Sequence, residues 1–203
     1  MPVSASTGRA GGVLERLRPG GYEAAVCAGL AVVVFAVVLS TAMGVRRWRV
    51  QKRTVELLAE ITRACRRLHT EYNGWPAALQ QNPGDAQFGE RMHNRDLINI
   101  LVARDGPGNP GHSANPARIV FLPDMPRFER GKGGLDETYD LLDPWGTPVR
   151  VVLDTDGDGF CRAASGEIEP VPDVETAAWS AGPDRIFGTA DDIRSWNTRR
   201  PHR

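Results

Sequence analysis

Catalytic signatures are what this chain of 203 residues lacks most plainly: no GxSxG elbow, Walker loop, HExxH helix or dinucleotide fingerprint occurs in it. Cysteine is scarce. Cys27, Cys65 and Cys161 are widely separated and make neither a disulfide framework nor a CxxC metal motif. They read as free thiols, with Cys65–Cys161 the one pairing left open. The four His (His69, His93, His112 and His202) are scattered, none with a partner at ligand spacing. A net charge is missing too, because 25 basic side chains cancel 25 acidic ones. That balance hides a segregation: Arg and Lys crowd the stretch from Arg46 to Arg67, and Asp dominates from Asp136 to Asp192. A basic run beside an apolar segment, with an acidic remainder, is not a nucleic-acid surface. Carboxylate pairs could serve glycoside hydrolysis in principle, but nothing here signals a deep cleft to hold a sugar. The expectation is a protein that is not an enzyme and binds no nucleic acid.

What is present begins with an uncharged run of 22 residues from Ala24 to Val45, built around Leu30-Ala31-Val32-Val33-Val34-Phe35-Ala36-Val37-Val38-Leu39. At about 1.5 Å per helical residue it spans a hydrocarbon core of roughly 30 Å. A buried core helix of that length would carry a polar stripe, and this one has none. The rival is a secretory signal cleaved near Ser40-Thr41-Ala42, but the run is long for one and leads straight into a helical pattern. A retained transmembrane helix over 22–45 is therefore expected, behind a leader or disordered cytoplasmic segment over 1–21. The flanking charges are Arg9, Arg16 and Arg18 on one side, and Arg46, Arg47, Arg49, Lys52 and Arg53 on the other. Counted by the positive-inside rule alone, they favour a cytoplasmic C-terminal part.

Beyond the run, apolar residues recur at Val50, Leu57, Leu58, Ile61, Ala64, Cys65, Leu68 and Tyr72, at helical intervals. With no Gly or Pro between Arg46 and Tyr72, the amphipathic segment over 46–76 continues the membrane helix as one element of about 50 residues. Asn73-Gly74-Trp75-Pro76 stops it, with Gly at the cap and Pro beyond. The 22 Gly and 15 Pro fall mainly after that point, so the domain over 77–197 is expected to be loop-rich, with a basic tail over 198–203. Within it, Asp96 to Ala103 reads as a short helix and Arg118 to Leu122 as a short strand. Val149 to Leu153 is the best strand in the chain, and Val174 to Trp179 a weaker one with which Ile168 to Val171 pairs. Trp75, Trp145, Trp179 and Trp196 are assigned to filling or covering a small core. The fold class is α+β: a long N-terminal transmembrane and amphipathic helix, then a small loop-rich domain with a short antiparallel sheet.

Two acidic loops carry the available chemistry. Asp184 to Asp192 sets three carboxylates among Gly and Pro, with Ser and Thr nearby. Calcium takes six to eight hard oxygens, and a flexible loop supplies them as carboxylates and carbonyls together. A solvated acidic turn is the plain alternative, since Asp favours turns without any metal. The second loop, Asp154-Thr155-Asp156-Gly157-Asp158-Gly159, fits the first half of an EF-hand loop, with Asp154, Asp156 and Asp158 as donors. Its twelfth position is Ser165, and Glu167 comes two places late. A hairpin-type turn after the strand explains the Asp-Gly pattern equally well.

Four motifs together resemble the major pseudopilin family of type II secretion, within the type IV pilin-like group: Tyr72-Asn73-Gly74-Trp75-Pro76, Asn115-Pro116-Ala117-Arg118-Ile119-Val120-Phe121-Leu122, Asp143-Pro144-Trp145-Gly146-Thr147-Pro148, and Ser180-Ala181-Gly182-Pro183-Asp184 followed by Gly188-Thr189-Ala190-Asp191-Asp192-Ile193 and Trp196. The last is similar to that family's C-terminal calcium loop and is the most specific. The resemblance covers residues 22–197. It implies a structural subunit in the bacterial inner membrane, with a periplasmic C-terminal domain, against the arginine count. It also implies partners: further copies or related pseudopilins through the N-terminal helix, inner-membrane secretion components, and lipid. Calcium would be held by Asp184 and Asp192 with carbonyls of Ala181 and Thr189. The family's prepilin signature is only partly present: Gly21-Tyr22 matches a cleavage point, but Glu23 is at the second mature position, Val26 occupies the fifth, and Thr-Leu-Ile is missing. That departure leaves one alternative, a solitary membrane-tethered calcium-binding domain without fibre assembly.

Overall fold

A computed structural model describes residues 21–80, 84–123, 125–163, 166, 169–172 and 174–196. Residues 1–20 of the expected leader, the tail over 198–203, and Ser165, Glu167, Ile168 and His202 lie outside the described residues. The chain divides into two compact units at the Val45–Arg46 junction. A single helix, α1, runs through Gly21–Glu71, 51 residues. In its N-terminal stretch the apolar side chains are exposed on every side, from Val26 and Leu30 to Met43 and Val45, and this stretch is a candidate membrane span by length and composition.

In the second unit α1 becomes amphipathic, and its apolar face is consumed inside the domain. Leu58, Ile61, Ala64, Cys65 and Leu68 are fully buried, and so is Thr54, whose hydroxyl donates to the Val50 carbonyl and needs no other partner. Each of the larger apolar side chains contributes about 1.5–3 kcal/mol by leaving water. The helix stops in a Schellman arrangement: Gly74 N–H donates to the His69 carbonyl at 2.9 Å and Asn73 N–H to that of Thr70 at 3.3 Å. The residue in the left-handed region is Asn73 (φ 51°), so Asn rather than Gly takes the strained position.

A four-stranded antiparallel sheet packs on this face. Its strands are β1 (Ala86–Phe88), β4 (Arg150–Leu153), β7 (Thr176–Ser180) and β8 (Ile193–Arg194), adjacent in the order β1-β4-β7-β8. Between β1 and β4 lie α2 (Asn94–Leu101) and the antiparallel pair β2 (Gly134–Leu135) and β3 (Leu141–Leu142). Between β4 and β7 lies the pair β5 (Phe160–Cys161) and β6 (Val171–Pro172). Strand alternation explains why β4 and β7 are buried on both sides. Val149, Val151, Leu153 and Ala178 join α1 and α2 in one core, whereas Val152, Ala177 and Trp179 join Cys161 and Val171 in a second, flanked by Phe187 and Trp196.

Three expectations are corrected. Residues 118–122 form no strand. Arg118 sits at φ 54°, the Asn115 side chain holds the Ile119 backbone, and the Phe121 and Leu122 N–H groups both donate to the Leu101 carbonyl, so α2 takes the donors a sheet would have used. The helix expected at 96–103 starts two residues earlier and stops at Leu101, because Ala103 turns left-handed (φ 56°). Val171 pairs with Cys161 instead of with the Thr176–Ser180 strand, whose two edges are already taken by β4 and β8. The three Cys are free, Cys65 and Cys161 included.

Candidate metal centres

The two acidic loops sit at opposite ends of neighbouring strands. The loop from 181 to 192 joins β7 to β8. Its entrance is built by the buried Asp143, whose Oδ1 accepts the N–H groups of Trp145 and Thr147 at 2.9 Å and whose Oδ2 accepts the Ser180 hydroxyl at 2.6 Å. Burial pushes the Asp143 carboxyl above the usual range, and these bonds pull against that. Ser180 Oγ accepts the Gly182 N–H in turn. Gly182 is at φ 68°, and a Cβ there would stand 2.3 Å from the Asp191 carbonyl oxygen, so glycine is obligatory for the loop to close.

Inside that loop the sequence-predicted donors are near one another but not converged. Asp184 Oδ1 accepts Ile186 N–H at 2.8 Å, and its own N–H donates to Asp191 Oδ2 at 3.1 Å. Asp192 Oδ2 accepts Gly188 N–H and the Arg194 guanidinium, at 3.0 and 3.1 Å. The Thr189 carbonyl accepts Asp192 N–H at 3.4 Å, and Ala181 is fully buried. Asp191, adjacent to the expected ligand Asp192, is the carboxylate that joins Asp184 to Thr189. The Thr189 hydroxyl donates to its Oδ1 and holds its carboxyl below the usual range. The doubled Asp191-Asp192 was the signal for it. One observation fits calcium here: the Asp192 side chain is 1% exposed and its Oδ1 has no hydrogen-bond partner.

The other loop leaves β4. Asp154 Oδ1 and Oδ2 accept the N–H groups of Gly157 and Gly159 at 2.8 and 3.0 Å, and Asp156 Oδ1 accepts Asp158 N–H at 3.2 Å. Asp158, the third expected donor, turns outward to pair with the Arg162 guanidinium. Its place is taken by Asp85, which sequence spacing could not indicate. The β1–β4 register pairs Ala86 with Leu153, so Asp85 and Asp154 face each other one step beyond. Oxygens of Asp85, Asp154 and Asp156 lie within 4.8 Å of one another, and no other such group of three His, Cys, Asp or Glu occurs among the described residues. Burial, together with the charges of Asp156, Asp154 and Asp158, raises the Asp85 carboxyl to about 6, although the Arg162 N–H bonded to it works the other way. The Cys161 thiol is pushed up to about 12 by burial and by Asp85 and Asp154.

The His69 ring packs tilted by 55° against Trp75, and His93 bonds Asp140 at 3.1 Å. A cavity of about 530 Å³ beside the start of the second unit is lined by Arg46, Arg47, Arg130 and Arg185 around Trp145, with no carboxylate, His or Cys in its wall. No family model matches the chain, and neither the curated proteins nor the solved structures give a significant match.

Proposed function

We propose that this chain is a structural, pseudopilin-like subunit of a type II secretion or type IV pilus-like fibre. Residues 24–45 anchor it in a bacterial inner membrane, its C-terminal domain is periplasmic, and calcium stabilises the 181–192 loop. The observation that carries the reading is the division of labour along α1. The apolar face at residues 58–68 is fully used by the domain itself, so the exposed apolar surface from Val26 to Val45 is what remains to be covered by lipid and by like helices, either further copies or related pseudopilins. The four motifs behind the resemblance add support, because two hydrogen bonds tie them together in pairs. Tyr72 OH donates to Asn115 Oδ1 at 2.7 Å, joining the helix stop to the second motif, and Ser180 donates to Asp143, joining the turn to the C-terminal loop. The orphaned Asp192 Oδ1 is the acceptor a calcium ion would satisfy there, with Asp184 supplying a second carboxylate.

The test uses a thiol already in place. Cys27 is exposed in the apolar stretch, while Cys65 and Cys161 are buried. Mild oxidation of the full chain in its native membranes should give Cys27-linked dimers that vanish in Cys27→Ser, and single cysteines moved along 26–45 should crosslink with helical periodicity. Absence of crosslinks at every position would leave the solitary tethered domain as the better reading. A periplasm-only reporter fused after Arg203 should be active, and activity of a cytoplasmic reporter alone would overturn the orientation.

A further inference from the structure

Asp85, Asp154 and Asp156 form a second acidic site, independent of the 181–192 loop and of the fibre reading. The three carboxylates come from two separate segments, the approach to β1 and the exit from β4, and the strand register fixes their meeting. Like charges placed opposite each other on neighbouring strands destabilise a sheet unless something neutralises them. Among the described residues no cationic side chain is in contact with any of the three: the Arg162 guanidinium is paired with Asp158 and acts on Asp85 and Asp156 only from a distance. Asp85 makes the deficit acute. Its Oδ2 accepts Arg162 N–H at 2.7 Å, while Oδ1 is buried and has neither a donor nor water-accessible surface. A buried carboxylate oxygen with no partner is costly and rare.

We propose that Asp85, Asp154 and Asp156 bind one oxygen-seeking divalent cation of the calcium class. An ion with oxygens at about 2.3–2.6 Å holds opposite ligands roughly 5 Å apart, which matches the spread of these carboxylates. Asp85 Oδ1 gains its missing partner, and the two carboxylates facing across β1 and β4 gain the positive charge between them. Asp154 and Asp156 keep their hydrogen bonds to Gly157, Gly159 and Asp158, because each carboxylate oxygen has a second lone pair to offer.

The site also has a mechanical role. Trp75, just past the end of α1, donates from Nε1 to the Asp154 carbonyl at 2.6 Å, and the Thr155 hydroxyl donates to the Gly84 carbonyl at 2.9 Å. An ion held by Asp85 and Asp154 therefore fastens the segment that leaves α1 to the edge of the sheet. Half of the EF-hand pattern is enough here because the missing acidic ligand arrives from the residue before β1 rather than from further along the loop.

The experiment counts bound calcium by equilibrium dialysis on the full chain in detergent, stripped beforehand with a chelator. Asp156→Asn is the lead variant, since Asp156 is exposed, its bond to the Asp158 N–H lies within the loop, and its loss should leave the fold intact. It should bind one equivalent fewer than the wild type, whatever the 181–192 loop contributes. Asp85→Asn should also lose one equivalent, and without calcium it should melt several degrees above the wild type because the buried charge is gone. Asp192→Ala should lose at most a different equivalent, so failure at one loop is readable apart from the other. Terbium should replace calcium with luminescence sensitised by Trp75, and Trp75→Phe should dim that signal while retaining the equivalent. Wild-type stoichiometry in both Asp156→Asn and Asp85→Asn, or a wild type whose calcium is removed entirely by Asp192→Ala, would overturn the proposal.

Discussion

Between Val26 and Trp48 the apolar side chains of α1 stand exposed, Val26 at 54% and Phe35 at 68%, whereas Leu58, Ile61, Cys65 and Leu68 of the same helix are fully buried. The backbone is identical in the two stretches, each residue closing the same turn-to-turn hydrogen bond. What separates them is how apolar residues are distributed around the axis. In the first stretch they occupy every face, which no single protein surface can cover. In the second they form one stripe with Arg and Glu opposite, and the sheet and α2 cover it. A helix therefore carries its intended surroundings in the pattern of its side chains, and one helix can be written for two of them.

The largest effect that would break this comparison comes from a charge in each stretch. Leu58→Asp puts an unpaired carboxylate in the core and should cost several kcal/mol, enough to abolish cooperative melting of the domain. Val34→Asp should leave the melting transition unchanged and instead weaken resistance to carbonate extraction from membranes. If both variants melted like the wild type, the downstream face would not be the core it is described as.

A medium effect is expected where the buried stretch ends. Asn115→Ala removes the acceptor of Tyr72 OH and both side-chain bonds to the Ile119 backbone, and it takes from the Ile100 carbonyl one donor, leaving it the Ala103 N–H. The loss should be about 2 kcal/mol, with Tm lowered by several degrees. Tyr72→Phe removes the bond to Asn115 and the one its hydroxyl accepts from the exposed Ala117 N–H, and should cost less. A loss at Asn115 no greater than at Tyr72 would assign the Asn115 bonds to Ile100 and Ile119 no value beyond what the Tyr72 hydroxyl contributes.

The smallest effect is on reactivity rather than stability. Cys65 is buried, and burial pushes its thiol up to about 12, so almost none is thiolate at neutral pH. Its folded value lies above the unfolded one, so its contribution to stability is fully present below the unfolded value and fades as pH rises through about 12. In detergent a small maleimide should label the full chain once, at Cys27, with Cys65 and Cys161 reacting only after denaturation. Labelling of Cys65 in the native protein would mean that the domain opens along α1 far more readily than its packing implies.

The legible parts of this protein are those governed by neighbours in the chain. Helical periodicity and the Gly/Pro stop located α1 to within a few residues, and the β-branched run located β4, because hydrogen bonding and burial there follow local spacing. Residues 118–122 look like a strand from composition yet are held by α2 and Asn115, partners that composition does not specify. Val171 has the residue type for a sheet, and only the occupied edges of β7 send it to Cys161 instead.

The candidate sites divide in the same way. The sequence by itself determined that Asp-rich loops follow β4 and β7, since Asp and Gly favour tight turns wherever they occur. Only the tertiary structure decided which carboxylates meet. Asp158 faces Arg162, Asp191 rather than Asp192 meets Asp184, and Asp85 reaches Asp154 across the β1–β4 pairing, far apart in the chain. A cation site is set by oxygens within a few ångströms of one point, and chain spacing fixes that distance only when every ligand lies on one loop.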